Sequence, residues 1–149
     1  MLVKKTWYSS LAILLLALTS YVMAADVETK DGYVIHYNAI NTTFLTPETA
    51  KRYQITRSKK LGMLNVSVRK GENPAPSKAV TAVVKAQAVN LNSQLKTLDM
   101  PLIEDGGAIY YIDTFAISNG ETLKFTVTVD PESKGKEHKI EFEQQFFVD

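Results

Sequence analysis

The stretch Ser118-Asn119-Gly120-Glu121-Thr122-Leu123-Lys124-Phe125-Thr126-Val127-Thr128-Val129 decides the fold. From Thr122 onward apolar and polar residues alternate without a break. Leu123, Phe125, Val127 and Val129 fall on one face, and Thr122, Lys124, Thr126 and Thr128 on the other. A period of two is the signature of a strand that buries one face. The Asn-Gly pair just before it predicts a tight hairpin from the preceding strand, because both residues tolerate the positive φ that a two-residue turn demands.

Working outward, residues 109–117 read as a strand entered through Asp105-Gly106-Gly107, with residues 95–103 before it as an irregular edge strand containing Pro101. Residues 79–90 read as a strand whose alanines also allow a helix. Leu64, Val66 and Val68 alternate with Asn65, Ser67 and Arg69, and residues 33–40 supply the first strand. Downstream, a polar loop over residues 130–139 leads to a last strand, where Ile140, Phe142, Phe146 and Val148 alternate with Glu141, Glu143 and Gln145. Thr46-Pro47-Glu48 supplies a cap, a proline at the first helical position and an early acid, which predicts a short helix over residues 47–53. Residues 72–77, with Pro74 and Pro76, form a loop. The expected fold is all-β: an immunoglobulin-like antiparallel β-sandwich of about seven strands with one short helix. A small closed β-barrel is the alternative. An outer-membrane barrel is not expected, because Lys124, Glu141 and Glu143 face outward where a lipid band is apolar.

The N-terminus has a separate logic. Lys4 and Lys5 precede an unbroken apolar run from Leu11 to Leu18, and a small-residue stretch ends at Ala24. This is the order of a cleavable signal peptide over residues 1–24, with cleavage after Ala24 or, second, Ala25. The apolar run is far shorter than the roughly 20 residues a membrane span needs. Without cysteine there is no lipid-attachment box. Residues 25–149 then form a single β-sandwich domain of ordinary size, exported to the periplasm and not stably inserted in the membrane.

The exported part is near neutral, which argues against nucleic acid as a partner. Its charge is unevenly spread. Lys51, Arg52, Arg57, Lys59, Lys60, Arg69 and Lys70 crowd one stretch, with Glu48 the only acid between Leu45 and Lys70. Acids outnumber lysines from Asp99 onward. Within the basic stretch, Arg57, Ser58, Lys59 and Lys60 are the candidate binding residues: they can hold a carboxylate, a phosphate or an acidic partner. Alternatively, the loop is simply solvated and its arginine pins the helix to the sheet. Asp113 falls on the otherwise apolar face of Ile109, Tyr111, Phe115 and Ile117. A carboxylate there needs either a bulge that turns it outward or a partner, for which Arg57 is the candidate.

Recognisable catalytic patterns are missing. His36 and His138 lack a second ligand at zinc spacing, so no metal site is expected and His36 reads as a hydrogen-bonded structural histidine. There is no Gly-x-Ser-x-Gly elbow and no phosphate-binding glycine fingerprint. Ser93-Gln94-Leu95-Lys96 matches Ser-x-x-Lys without the partner motifs that give it meaning. No cofactor is implied.

The segments HYNA from His36, ITRS from Ile55 and LNVSV from Leu64 carry a resemblance, together with AIYYIDTFAI from Ala108 and the terminal EFEQQFFVD. The chain resembles a family of small exported proteins of Gram-negative bacteria, domain of unknown function 4426. The resemblance implies a periplasmic, sandwich-like protein and carries no activity with it. The expected function is a non-enzymatic periplasmic binding or protein-interaction module, acting on an envelope protein or a small anionic ligand. A small periplasmic enzyme with an unrecognised site and an accessory or chaperone-like factor for envelope assembly are the alternatives.

Overall fold

The computed structural model describes residues 26–71 and 77–148. The leader, its cleavage positions Ala24 and Ala25, and the proline-bearing stretch 72–76 lie outside the described residues. Among those described, no helix is long and apolar enough to cross a membrane.

The strands are β1 (Asp26–Lys30), β2 (Tyr33–Asn41), β3 (Leu61–Lys70), β4 (Lys78–Ala79), β5 (Ala82–Asn90), β6 (Leu95–Leu98), β7 (Leu102–Asp105), β8 (Ala108–Ala116), β9 (Glu121–Pro131) and β10 (His138–Phe146). They form two open sheets, and every strand pairing is antiparallel. The first runs β1-β2-β3-β8-β7, with β4 on the end of β3, and the second runs β10-β9-β5-β6. The fold is the expected β-sandwich, and the closed barrel is ruled out.

The strand count exceeds the expected seven because two predicted strands change sheets midway and because β1, not expected from the sequence, pairs with β2. Residues 79–90 divide at Val80-Thr81: Ala79 pairs with Arg69 of the first sheet, whereas Ala82 pairs with Pro131 of the second. Residues 95–103 divide likewise, β6 pairing with β5 and β7 with β8. Proline explains the second break. Pro101 has no N–H for a ladder, and Met100 before it takes a left-handed φ of 50°. The predicted Asn-Gly hairpin is also corrected. β8 and β9 do not pair; the turn carries the chain from one sheet to the other. Gly120 takes a φ of +73° while Asn119 is not among the positive-φ residues. The pair therefore cannot make the turn that requires positive φ at both positions.

The inner faces follow the alternation. Leu123, Phe125, Val127 and Val129 are fully buried, as are Ile35, Leu64, Val66 and Val68 opposite them. Phe125 stacks on Phe142 with ring centres 4.8 Å apart and meets Phe115 of the other sheet edge-on at 5.4 Å. Phe146 closes the cluster against Phe115 at 5.5 Å. Phe125 and Phe146, fully buried, contribute roughly 1.5–3 kcal/mol each. Elsewhere in the structure, Asn38 and Asn65, cross-strand partners on β2 and β3, each keep a buried Oδ1 with no hydrogen-bond partner among the described residues. Such groups cost on the order of 1–3 kcal/mol each, which the apolar core offsets.

Helix α1 (Pro47–Arg52) forms as predicted, one residue shorter. Thr46 Oγ1 accepts from Thr49 N at 3.1 Å, Pro47 opens the first turn and Lys51 and Arg52 close the last. Six residues cannot hold a helix alone. Tertiary contacts do so: Ala50 is buried, the Tyr53 ring lies 6.1 Å from Tyr110, and Tyr53 Oη donates to Asp105 Oδ2 at 2.7 Å. That bond pushes the Tyr53 phenol up to about 12 and lowers Asp105.

The aromatic cluster depends on a glycine. A Cβ on Gly62 would lie 2.5 Å from Phe115 Cε2 and 3.2 Å from Ile117 Cγ2. Phe115 is held by Phe125 and Phe146 and has no room to retreat. Gly62→Ala is therefore expected to lower stability by about 1–3 kcal/mol through overpacking, measured by urea unfolding followed in the far-ultraviolet. An unchanged midpoint would show that the ring has space the packing denies it.

Candidate functional site

The four predicted binding residues lie between α1 and β3, at the end of the sandwich where β2 stops. Two of them prove to be structural. Thr42 begins a short 3-10 turn (Thr42–Phe44) and is completely buried. Its hydroxyl donates to Ser58 O at 3.1 Å and accepts from Ser58 N at 2.9 Å, binding the loop to the end of β2. Ser58 Oγ accepts from Lys60 N at 3.1 Å and shapes the turn into β3. Arg57 donates to Thr43 O at 3.2 Å, so it pins the 3-10 turn and leaves its charge exposed. Lys59 and Lys60 are exposed and form no ion pair among the described residues. Besides its N–H, Lys60 contributes its carbonyl, which accepts from Ile117 N at 3.0 Å.

Arg57 and Asp113 are not brought together, and the predicted pair is corrected. Asp113 Oδ2 accepts from Asp99 N and Oδ1 from Thr114 N, both at 2.8 Å. Asp99 lies where the chain crosses from β6 to β7. The half-buried carboxylate ties that crossing to β8 and is satisfied by backbone donors. His36 is also half-buried, but the hydrogen bond expected for it is corrected: its ring makes none among the described residues. Burial, and secondarily the charge of Arg69, lowers its pKa.

The loop end carries something the charge pattern did not reveal. Phe44, at the close of the 3-10 turn, is 66% exposed, and Phe147, just past β10, is 53% exposed. They flank a shallow hollow of about 230 Å³ floored by Ala39, Ile40 and Phe146. Asn41 Nδ2 donates to Phe147 O at 2.7 Å and fixes one wall to the other. The surface continues through Val148, whose N donates to Asn119 Oδ1 at 3.0 Å, and past Asn119 to Leu91, which is 87% exposed. The sequence pattern does not single out Phe44 or Phe147; the tertiary fold shows both rings turned to solvent.

The opposite end is polar and self-satisfied. Tyr33, itself buried, donates its hydroxyl to Glu132, which also accepts from Lys134 at 2.7 Å and Lys70 at 3.2 Å. Buried Asp130 accepts from the backbone N–H groups of Lys134, Gly135 and Lys136. Asp31 pairs with Lys136 at 3.0 Å and stands 3.6 Å from His138 Nε2. Among these lysines, Lys70, Lys134 and Lys136 each meet a carboxylate.

With this geometry in hand, the comparisons with known proteins are informative about ancestry. The family model described as Domain of unknown function (DUF4426) matches residues 27–149, in agreement with the resemblance read from the sequence. A crystal structure of a DUF4426 family protein from Pseudomonas aeruginosa PAO1 is 31% identical, with a TM-score of 0.71, covering 87% of this chain and 99% of that one. Two structures of FetP from uropathogenic Escherichia coli strain F11 share the fold at 14% and 12% identity, with TM-scores of 0.56 and 0.55. They cover 83% and 84% of this chain and 94% and 91% of theirs. One is of protein recombinantly expressed in the periplasm, the other of a copper-bound variant with a single glutamate-to-glutamine substitution. No curated protein matches the chain.

The Glu132 cluster makes a pH prediction. Hydrogen bonds from Lys134, then Tyr33, then Lys70 hold its carboxyl down to about 2. A depressed folded-state value contributes stability that is complete above the ordinary glutamate range and is lost as pH falls through the depressed one. Urea midpoints are expected to fall between about pH 5 and pH 2, and Glu132→Gln to flatten that part of the profile. Identical profiles for both proteins would contradict this assignment.

Proposed function

We propose, from the premise that the chain belongs to the family described as Domain of unknown function (DUF4426), that it is a non-enzymatic binding module of the periplasm. It engages its partner through the loop end bearing Phe44, Phe147, Arg57, Lys59 and Lys60. One observation carries this reading. Exposed aromatic rings on two separate segments meet at the end of the sandwich where Arg57, Lys59 and Lys60 have no carboxylate partner among the described residues. Contiguous exposed apolar surface rimmed by charge is the mark of an interaction site, whereas single exposed hydrophobic residues are ordinary. The contrast with the other end supports it, since Lys70, Lys134 and Lys136 there each meet a carboxylate.

The periplasm is proposed from the signal-peptide pattern of residues 1–24, with the fold shared by periplasmically expressed FetP as support. FetP's copper is not carried over. Among the described residues no group of three or more His, Cys, Asp or Glu side chains is gathered to hold a metal ion, and identities of 14% and 12% transfer fold alone. A binding role is preferred to an enzymatic one because the loop end offers rings and fixed charges, not a nucleophile beside a base.

The test uses protein produced from the full chain and purified after export. It is expected to be retained by washed envelope fractions, and the double variant Phe44→Ser/Phe147→Ser to lose most of that retention with an unchanged circular dichroism spectrum. Equal retention of the variant, or no retention of the wild type, would overturn the reading.

A further inference from the structure

We infer that the partner of this loop end is the surface of an anionic phospholipid bilayer, an inference that rests on the proposed docking face and specifies what it meets. Three features favour a lipid surface over a peptide or a small ligand. The first is shape. A ligand site encloses its ligand in a cavity of roughly 300–1,000 Å³, whereas the hollow between Phe44 and Phe147 is about 230 Å³ and its two rings stand out from it. Side chains that project from loop tips are suited to entering a soft interface.

The second feature is the spread of the apolar tips. Phe44 follows β2, Leu91 follows β5 and Phe147 follows β10, so both sheets contribute to one end. The register places these strand ends together: Asn41 lies opposite Gly62, Phe146 opposite Glu121, and Asn90 opposite Leu123. A flat partner can touch all of them at once. Phenylalanine and leucine are the residues that enter the boundary between headgroups and acyl chains, and cations beside them hold anionic headgroups.

The third is charge. Arg57, Lys59 and Lys60 bring three positive charges to this end without a carboxylate partner among the described residues. Glu121, in the hollow beside Leu91, is already met by Lys96 at 3.6 Å, Asn90 and the Ser118 N–H. Each basic residue near an anionic membrane surface raises affinity by about fivefold. Three cations and a few shallow apolar tips give reversible attachment, not insertion. The orientation follows: the sandwich stands on this end, with the Tyr33–Glu132–Lys134 cluster facing away from the bilayer.

The experiment is vesicle co-sedimentation with protein purified after export from the full chain. Phosphatidylcholine vesicles containing about one-third phosphatidylglycerol are compared with pure phosphatidylcholine, and binding to the anionic ones is expected to fall steeply with added salt. Lys59→Glu/Lys60→Glu and Phe44→Ser/Phe147→Ser are each expected to weaken that binding by about tenfold or more. Lys78→Glu, an exposed lysine at the opposite end, is expected to leave it unchanged. No binding to anionic vesicles, or equal binding by the loop-end variants, overturns the inference. If envelope retention persists under those conditions, the docking face stands and its partner is a protein; if retention is absent as well, both readings fall.

Discussion

The packing of Phe125 is the constraint on which the rest of the molecule depends. Its ring is fully buried between the sheets, stacked on Phe142 and meeting Phe115 and Phe146 at their edges. Phe115 belongs to the first sheet and the others to the second, so this cluster locks one sheet to the other. It also lies near the proposed docking end of the sandwich. Phe146 leads directly into exposed Phe147, Phe115 leads through Ile117 into the crossing turn, and Gly62 beneath the Phe115 ring follows the Lys59-Lys60 turn. The exposed rings and cations thus project from a base that close packing keeps rigid.

The two ends of the sandwich differ in how they treat charge. At the Tyr33 end, positive and negative groups are interleaved and joined, so the network chiefly holds the loop between β9 and β10 onto β2. At the loop end the backbone is equally well satisfied, through Thr42, Ser58 and Asn41, and Lys96 meets Glu121, but Lys59 and Lys60 are left over. Among the described residues, the fold provides carboxylates for Lys70, Lys134 and Lys136 and none for Lys59 or Lys60. It thereby separates structural charge from charge available to a partner.

How much of this was legible in sequence varied with the range of the interaction concerned. Strand β9 and strand β10 could be read because their alternation is set by one buried face, and α1 because its cap, proline and first-turn acid act within a few residues. The sheet crossings at Val80-Thr81 and Asp99–Pro101 were hidden, since a strand that changes sheets keeps its local composition. Asn119-Gly120 misled for the same reason: its residues permit a hairpin, but the sheet-to-sheet connection selects another turn. The basic loop was visible as charge, while Phe44 and Phe147 were not visible as surface, because an aromatic residue beside a strand looks buried until tertiary neighbours are known. Asp113 stood out correctly as an anomaly, and its partners were backbone groups that no side-chain pattern displays.

Whether one end of a rigid sandwich meets the envelope is tested most directly by amide hydrogen exchange of the exported protein, with and without envelope membranes. Protection on adding membranes is expected to be confined to residues 42–46, 57–61, 90–95, 118–120 and 146–148, with the β-strand cores unchanged. Protection appearing instead at residues 130–138, or spread evenly over either sheet, would contradict the account.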